Sequence, residues 1–189
     1  NQPLPEGLFQ SLSGRNAADS RRLLVENLGE DFPHEACREA MMRHYQRAVD
    51  VHGIGVMAGA PEMLAYLSEQ DVPFAVATSS AAERARYKLG MCGLDHWFTT
   101  IVAGDEVENG KPAPDIFLKA AASLAAPPTS CMVFEDSYAG IRAAAAAAMR
   151  PIMVPDQLPA TAEMEALSFA IVDDLHGGLA VVERALAAR

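Results

Sequence analysis

Residues 133–149 read VFEDSYAGIRAAAAAAM. A short apolar run stops at two adjacent acids, Glu135 and Asp136, and the alanine-rich stretch that follows is strongly helix-favouring. An apolar strand handing over to a helix across a polar junction is the repeating unit of a parallel α/β fold. The stretch therefore predicts a strand over 131–136 and a helix over 137–149. Adjacent carboxylates repel, so the pair needs a partner. Either Asp136 or Ser137 caps the helix through its exposed amides, or the pair serves a hard cation such as Mg²⁺, which takes one or two carboxylates and completes its shell with water and phosphate oxygens.

The same grammar extends outward on both sides. Upstream, APEMLAYLSEQ (60–70) reads as helix, PFAVAT (73–78) as strand, AAERARYKLG (81–90) as helix, WFTTIVAG (97–104) as strand and PDIFLKAAASLA (114–125) as helix. Downstream, RPIMVP (150–155) and FAIVDD (169–174) read as strands before a C-terminal helix. Short apolar strands alternating with three-turn helices predict an α/β core, a parallel sheet with helices on both faces. Ligands of such sheets bind beyond the carboxyl ends of the strands, which directs attention there.

Residues 1–57 differ, reading as a small all-helical module ahead of a core over 58–189. DSRRLLVENLG (19–29) ends on a C-cap glycine. A second helix spans 33–53, with Ala36, Ala40, Met41, His44, Tyr45, Ala48 and Val49 at three- and four-residue spacing along one apolar face.

The chain has 189 residues, with acids outnumbering bases 25 to 15 for a net charge of −10, and it contains no Lys/Arg block. That balance argues against nucleic acid and against an anionic membrane as partners. The three cysteines, Cys37, Cys92 and Cys131, are odd in number and lack metal-type spacing, which fits reduced packing residues in a cytoplasmic setting. No run approaches 18 apolar residues, and NQPLPEGLF carries no leader pattern. The five histidines show no ligand spacing, so a zinc site is not supported.

Three further strand-end or loop positions invite chemistry. Thr78-Ser79-Ser80 follows PFAVA: a hydroxyl ahead of free helix amides is either an N-cap or an anion site suited to a phosphoryl group. Lys111 lies in ENGKPAPD, fenced by Gly110, Pro112 and Pro114, which stiffen the loop; it is either a solvated charge or an ammonium held in place. Arg15, after Gly14 in the helical module, is either a surface residue or a clamp for an anionic or polyol substrate.

In order, VATSS, GKPAPD and VFEDSYAGIRAAAAAAM closely resemble motifs two, three and four of the haloacid dehalogenase superfamily, particularly its phosphatases and β-phosphoglucomutase-like members with a small helical cap. The resemblance covers essentially the whole chain. It implies a Rossmannoid core over 58–189 and a partial cap over 1–57. Thr78 and the Ser79 amide would then bind the phosphoryl group, and Lys111 would neutralise it and the nucleophile. Asp136 would ligate Mg²⁺, with Glu135 doing so directly or through water, and Arg15 would face substrate from the cap, a looser match. The implied activity is Mg²⁺-dependent hydrolysis of a small phosphorylated metabolite through an aspartyl-phosphate.

The superfamily's nucleophile signature, Asp-x-Asp-x-Thr on the first core strand, is not in these residues; Asp105-Glu106 and Asp173-Asp174 lie after the cap and lack its flanks. The reading therefore expects a preceding strand and first cap helix of roughly 30 residues. A sugar phosphomutase is the alternative enzyme, and a catalytically inactive binding module is the alternative if the protein begins at Asn1. Ala148 stands where relatives commonly carry glycine, which predicts an extended last turn of the preceding helix.

Overall fold

The computed structural model describes residue 5 and residues 7–188; of the stretch NQPLPEGLF read above for a leader pattern, residues 1–4 and 6 lie outside them. Three helices come first: α1 (Leu8–Leu12), α2 (Ala17–Leu28) and α3 (His34–His52). They are followed by α4 (Ala60–Glu69), β1 (Val76–Thr78), α5 (Ala82–Met91), β2 (Ile101–Ala103), α6 (Asp115–Ser123), β3 (Met132–Glu135) and α7 (Tyr138–Ala146). The chain closes with β4 (Arg150–Met153), α8 (Ala162–Leu167), β5 (Ala170–Ile171) and α9 (Leu175–Ala187). This is the expected α/β architecture, with every strand pairing parallel.

The expected single sheet is in two pieces. One pairs β1 with β2, Ala77 opposite Val102; the other runs β3-β4-β5, Phe134 opposite Ile152 and Ile152 opposite Ala170. Among the described residues no strand pairs with the second edge of β1 or of β3. Helices α6 and α7 nonetheless unite the two pieces. Ile116, Phe117 and Ala121 of α6 pack with Val102 of β2, Val133 of β3 and Ala143 of α7 in one cluster. The alanine tract serves this contact: Ala143 and Ala144 are fully buried, and a side chain of one carbon lets α7 lie close on the strand. Burying a residue such as Ile116 stabilises by about 2 kcal/mol. A second cluster, Met63 and Leu67 with Val182, holds α4 against α9.

Three local expectations fail. The residues 97–100 do not form strand, since a 3₁₀ turn at Asp95–Trp97 leads into β2. Helix α8 was not anticipated; its short AEMEAL is fixed by Thr161, whose hydroxyl accepts the Met164 amide at 3.3 Å. And α7 stops at Ala146 instead of extending, because Ala148 turns left-handed at φ +56°. An alanine there carries the Cβ clash that glycine avoids, so the reversal into β4 prevails over local helix propensity. In α3 only Val49 of the predicted apolar face is buried, and Met41 remains 62% exposed. No helix among the described residues is long and apolar enough to cross a membrane.

Candidate active site at the ends of β1 and β3

The polar junction of EDSYAG folds into a compact knot at the end of β3. Ser137, almost fully buried, caps α7: its hydroxyl accepts the Gly140 amide at 3.1 Å. Of the two capping candidates the sequence offered, the structure selects Ser137 and releases Asp136 from that duty. Glu135 turns inward. One of its oxygens accepts from the Asp136 amide, the Ser137 amide and the Ser137 hydroxyl, each at 3.0 Å, and the other meets the Lys111 ammonium. Gly140 makes room for this carboxylate, since a Cβ there would collide with the Glu135 carboxyl group.

Lys111 is the centre of the arrangement. Its side chain is 5% exposed, and its ammonium donates to the Ala77 carbonyl on β1 at 3.3 Å as well as to Glu135 on β3. One buried cation therefore spans the carboxyl ends of both sheet pieces. The ring of Phe117 in α6, 4.8 Å away, forms part of its wall.

Glu135 and Asp136 ionise differently although they are neighbours. Burial pushes the Glu135 carboxyl up, but the charge and hydrogen bond of Lys111, with the Ser137 donors, hold it below the usual range. Asp136 is pushed up to about 6, first by loss of hydration and then by the charge of Glu135, with Asp156 adding to the repulsion. The residue as a whole is nevertheless exposed.

Thr78 ends β1, and its hydroxyl accepts the Ser80 amide at 3.1 Å in a local turn. It is not the cap of α5. That helix begins after Ala81, and Asp105 satisfies its first amide, Ala82, at 3.1 Å. Ser79 instead reaches the helical segment, its hydroxyl donating to the Gly14 carbonyl at 2.6 Å. Gly14, at φ +77°, lies so close to the core that a Cβ would strike Ser137. The neighbouring Arg15 makes no hydrogen bond to any of these residues among those described. Its Nε donates to the Ser11 carbonyl at 2.7 Å, and it lines a groove of about 170 Å³ with Tyr138 and Arg142.

The structure thus brings Thr78, Ser79, Lys111, Glu135 and Asp136 to one strand-end region and sets Arg15 at its margin. Sequence reasoning missed Ser137 as the residue that locks Glu135, and Gly140 as the space it needs; the glycine five residues after the acid was the visible signal. It also missed Asn16 and Asp19, which crowd the loop glycine Gly110 from the start of α2.

The donor set suits a hard cation only in part. Among the described residues no three His, Cys, Asp or Glu side chains converge as a metal cluster. Asp136, however, has no cationic partner among them while facing two other acids, which is the charge imbalance that a divalent ion relieves. Glu135, committed to Lys111 and to three donors, is held in the same region without a free oxygen.

Comparison with known proteins adds to this geometry. The family described as haloacid dehalogenase-like hydrolase matches residues 10–154. The chain is 46% identical over 158 residues to the probable pseudouridine-5'-phosphatase of Drosophila melanogaster, covering 80% of this chain and 68% of that protein. It is 31% identical over 153 residues to hexitol phosphatase A of Escherichia coli K12, covering 79% and 68%. A solved structure of a hydrolase from Pseudomonas syringae superposes with a TM-score of 0.83 at 26% identity, covering 96% of this chain and 84% of that one.

Proposed function

The chain belongs to the haloacid dehalogenase-like hydrolase family, and from that premise we propose that it is the greater part of a Mg²⁺-dependent phosphomonoesterase for a small phosphorylated metabolite. The observation that carries the reading is Lys111, a buried ammonium stretched between the ends of β1 and β3. A surface lysine has no reason to pay such desolvation, whereas phosphoryl transfer needs fixed positive charge where an anion attacks an anion.

In this reading the Thr78 hydroxyl and the Ser79 amide hold phosphoryl oxygens at the end of β1. Lys111 offsets the charge of phosphate and nucleophile, and Glu135 keeps the ammonium in place. Asp136 holds Mg²⁺, with Glu135 beside it. The metal, when bound, supplies electrostatic stabilisation of the phosphoryl oxygens. The nucleophilic aspartate comes from a strand outside these 189 residues that pairs with the free edges of β1 and β3, which would also remove two unpaired edges from the middle of the core. The helices up to residue 57 act as a partial cap over the core of 58–189, with Arg15 reaching substrate from the margin, in a cytoplasmic enzyme. Hydrolysis is favoured over phosphomutase chemistry because the relatives above are named phosphatases.

The test is turnover of p-nitrophenyl phosphate and of nucleotide and hexitol phosphates by the full-length protein. Mg²⁺-dependent release of phosphate, reduced at least a hundredfold in both Lys111→Met and Asp136→Asn, is expected. Equal turnover by wild type and both variants would sink the assignment. Isomerisation of a hexose 1-phosphate without phosphate release would turn it to the mutase, and complete inertness of the full-length protein to the binding module.

A further inference from the structure

A larger concavity lies at the opposite end of the sheet from Lys111. At the start of the strands, Thr129 and Ser130, Met132 of β3, Arg150 of β4, Phe169 and Ala170 line a groove together with Arg184 of α9, with a volume of about 620 Å³. This is the size range of small-molecule sites. Its charge is anomalous for this protein. In a chain with ten more acids than bases, no carboxylate among the described residues lines the groove, while two guanidinium groups do.

Among the described residues neither Arg150 nor Arg184 forms an ion pair, although six other lysine and arginine side chains do. Arg150 lies instead over the Phe169 ring, 5.5 Å from its centroid, and that ring is 57% exposed. Every side-chain polar group facing the groove can donate a hydrogen bond: two guanidinium groups and the hydroxyls of Thr129 and Ser130. Guanidinium forks match phosphate oxygens, and the exposed part of the aromatic ring beside them accepts a planar partner by stacking.

We propose that this groove is a second ligand site, distinct from the strand-end site, that binds a mononucleotide: the phosphate between Arg150 and Arg184, the base against Phe169. Being at the far end of the strands, it takes no part in phosphoryl transfer and does not depend on the function proposed above.

The test is calorimetric titration of the protein with AMP in the absence of divalent ions, together with hydrogen-exchange mapping. One AMP binds per chain, and protection appears at 128–132, 168–171 and 181–188. Binding weakens roughly tenfold or more in Arg184→Gln and in Arg150→Gln, with unchanged circular dichroism and unfolding midpoint as the folding control. Thr78→Ala leaves it unchanged, which separates it from occupancy of the strand-end site. Adenosine and inorganic phosphate each bind at least tenfold more weakly than AMP. No AMP binding to wild type at millimolar concentration, equal binding by the Arg150→Gln/Arg184→Gln double variant, or adenosine binding as tightly as AMP would each overturn the proposal.

Discussion

The front helices and the strand-end site both pair acids with bases, under opposite conditions. On α3, Glu35 meets Arg38 at 2.8 Å and Glu39 meets Arg43 at 3.6 Å, all within one helical turn and all more than half exposed. At the ends of β1 and β3, Lys111 meets Glu135 across 24 residues of sequence with both side chains nearly buried. The Coulomb attraction is the same in kind, but water screens the first pairs and not the second. A helix pair is therefore an ornament of local spacing, whereas the buried pair is a constraint that the fold must satisfy.

Removing one partner from the buried pair should produce the largest effect. Lys111→Met leaves the Glu135 carboxylate buried without a cation, at a cost of about 3–5 kcal/mol in urea unfolding at pH 8. In the native protein the depressed Glu135 adds stability above its unfolded pKa that is lost as pH falls through the folded one. In Lys111→Met burial dominates and Glu135 is raised, so the sign inverts: the deficit shrinks as pH falls and the carboxyl accepts a proton. A deficit independent of pH would break the comparison.

Steric pressure on the same knot comes next. Gly140→Ala places a methyl group against the Glu135 carboxyl, and displacing that carboxylate costs about 1–3 kcal/mol. Gly90→Ala on α5 is the control, because a Cβ there meets nothing within 4 Å; it should stabilise by up to about 1 kcal/mol through helix propensity. Equal unfolding midpoints for the two variants would mean that the Glu135 knot is not rigid.

Asp136→Asn should act in the opposite direction. With a folded pKa of about 6, above the unfolded value, Asp136 leaves the wild type at full stability below about pH 4 and lowers it as pH rises through 6. The asparagine variant escapes that loss. Because the side chain is solvent-accessible, the gain is discounted to roughly 1 kcal/mol above pH 7, and it vanishes at pH 4. Millimolar Mg²⁺ should reverse the order by raising the melting temperature of wild type alone. A variant less stable than wild type at pH 8 without Mg²⁺ would contradict the repulsion.

These effects also mark what the sequence could reveal. The strand–helix alternation and the order of Thr78, Lys111 and Asp136 were legible because each depends on local pattern at a strand end. The inward turn of Glu135 was not, because it depends on Lys111, on the Ser137 cap and on space at Gly140, three positions that meet only after folding. Ala148 misled for the same reason: its helix propensity is local, but the reversal into β4 that sets its left-handed backbone is not. The face of α3 followed a faultless helical period, yet period alone does not say that anything covers it, and Met41 is largely uncovered.

The smallest effect belongs to the front helices. In α3, Glu35 lies in the first turn, where its charge already complements the helix N-terminus, so losing Arg38 does not leave it stranded. Its carboxyl is lowered first by the hydrogen bond and then by the charge of Arg38, but both groups stay hydrated and water replaces the missing guanidinium. Arg38→Ala should thus leave the urea midpoint within experimental error, and the Arg38→Ala/Arg43→Ala double variant should do the same. Salt separates the two regions further. In 1 M NaCl any residual difference for the α3 variants should disappear, while the Lys111→Met deficit should persist because ions do not reach a buried pair. If the α3 variants lost as much stability as Lys111→Met, or if salt erased both effects alike, burial would not be what distinguishes the two regions.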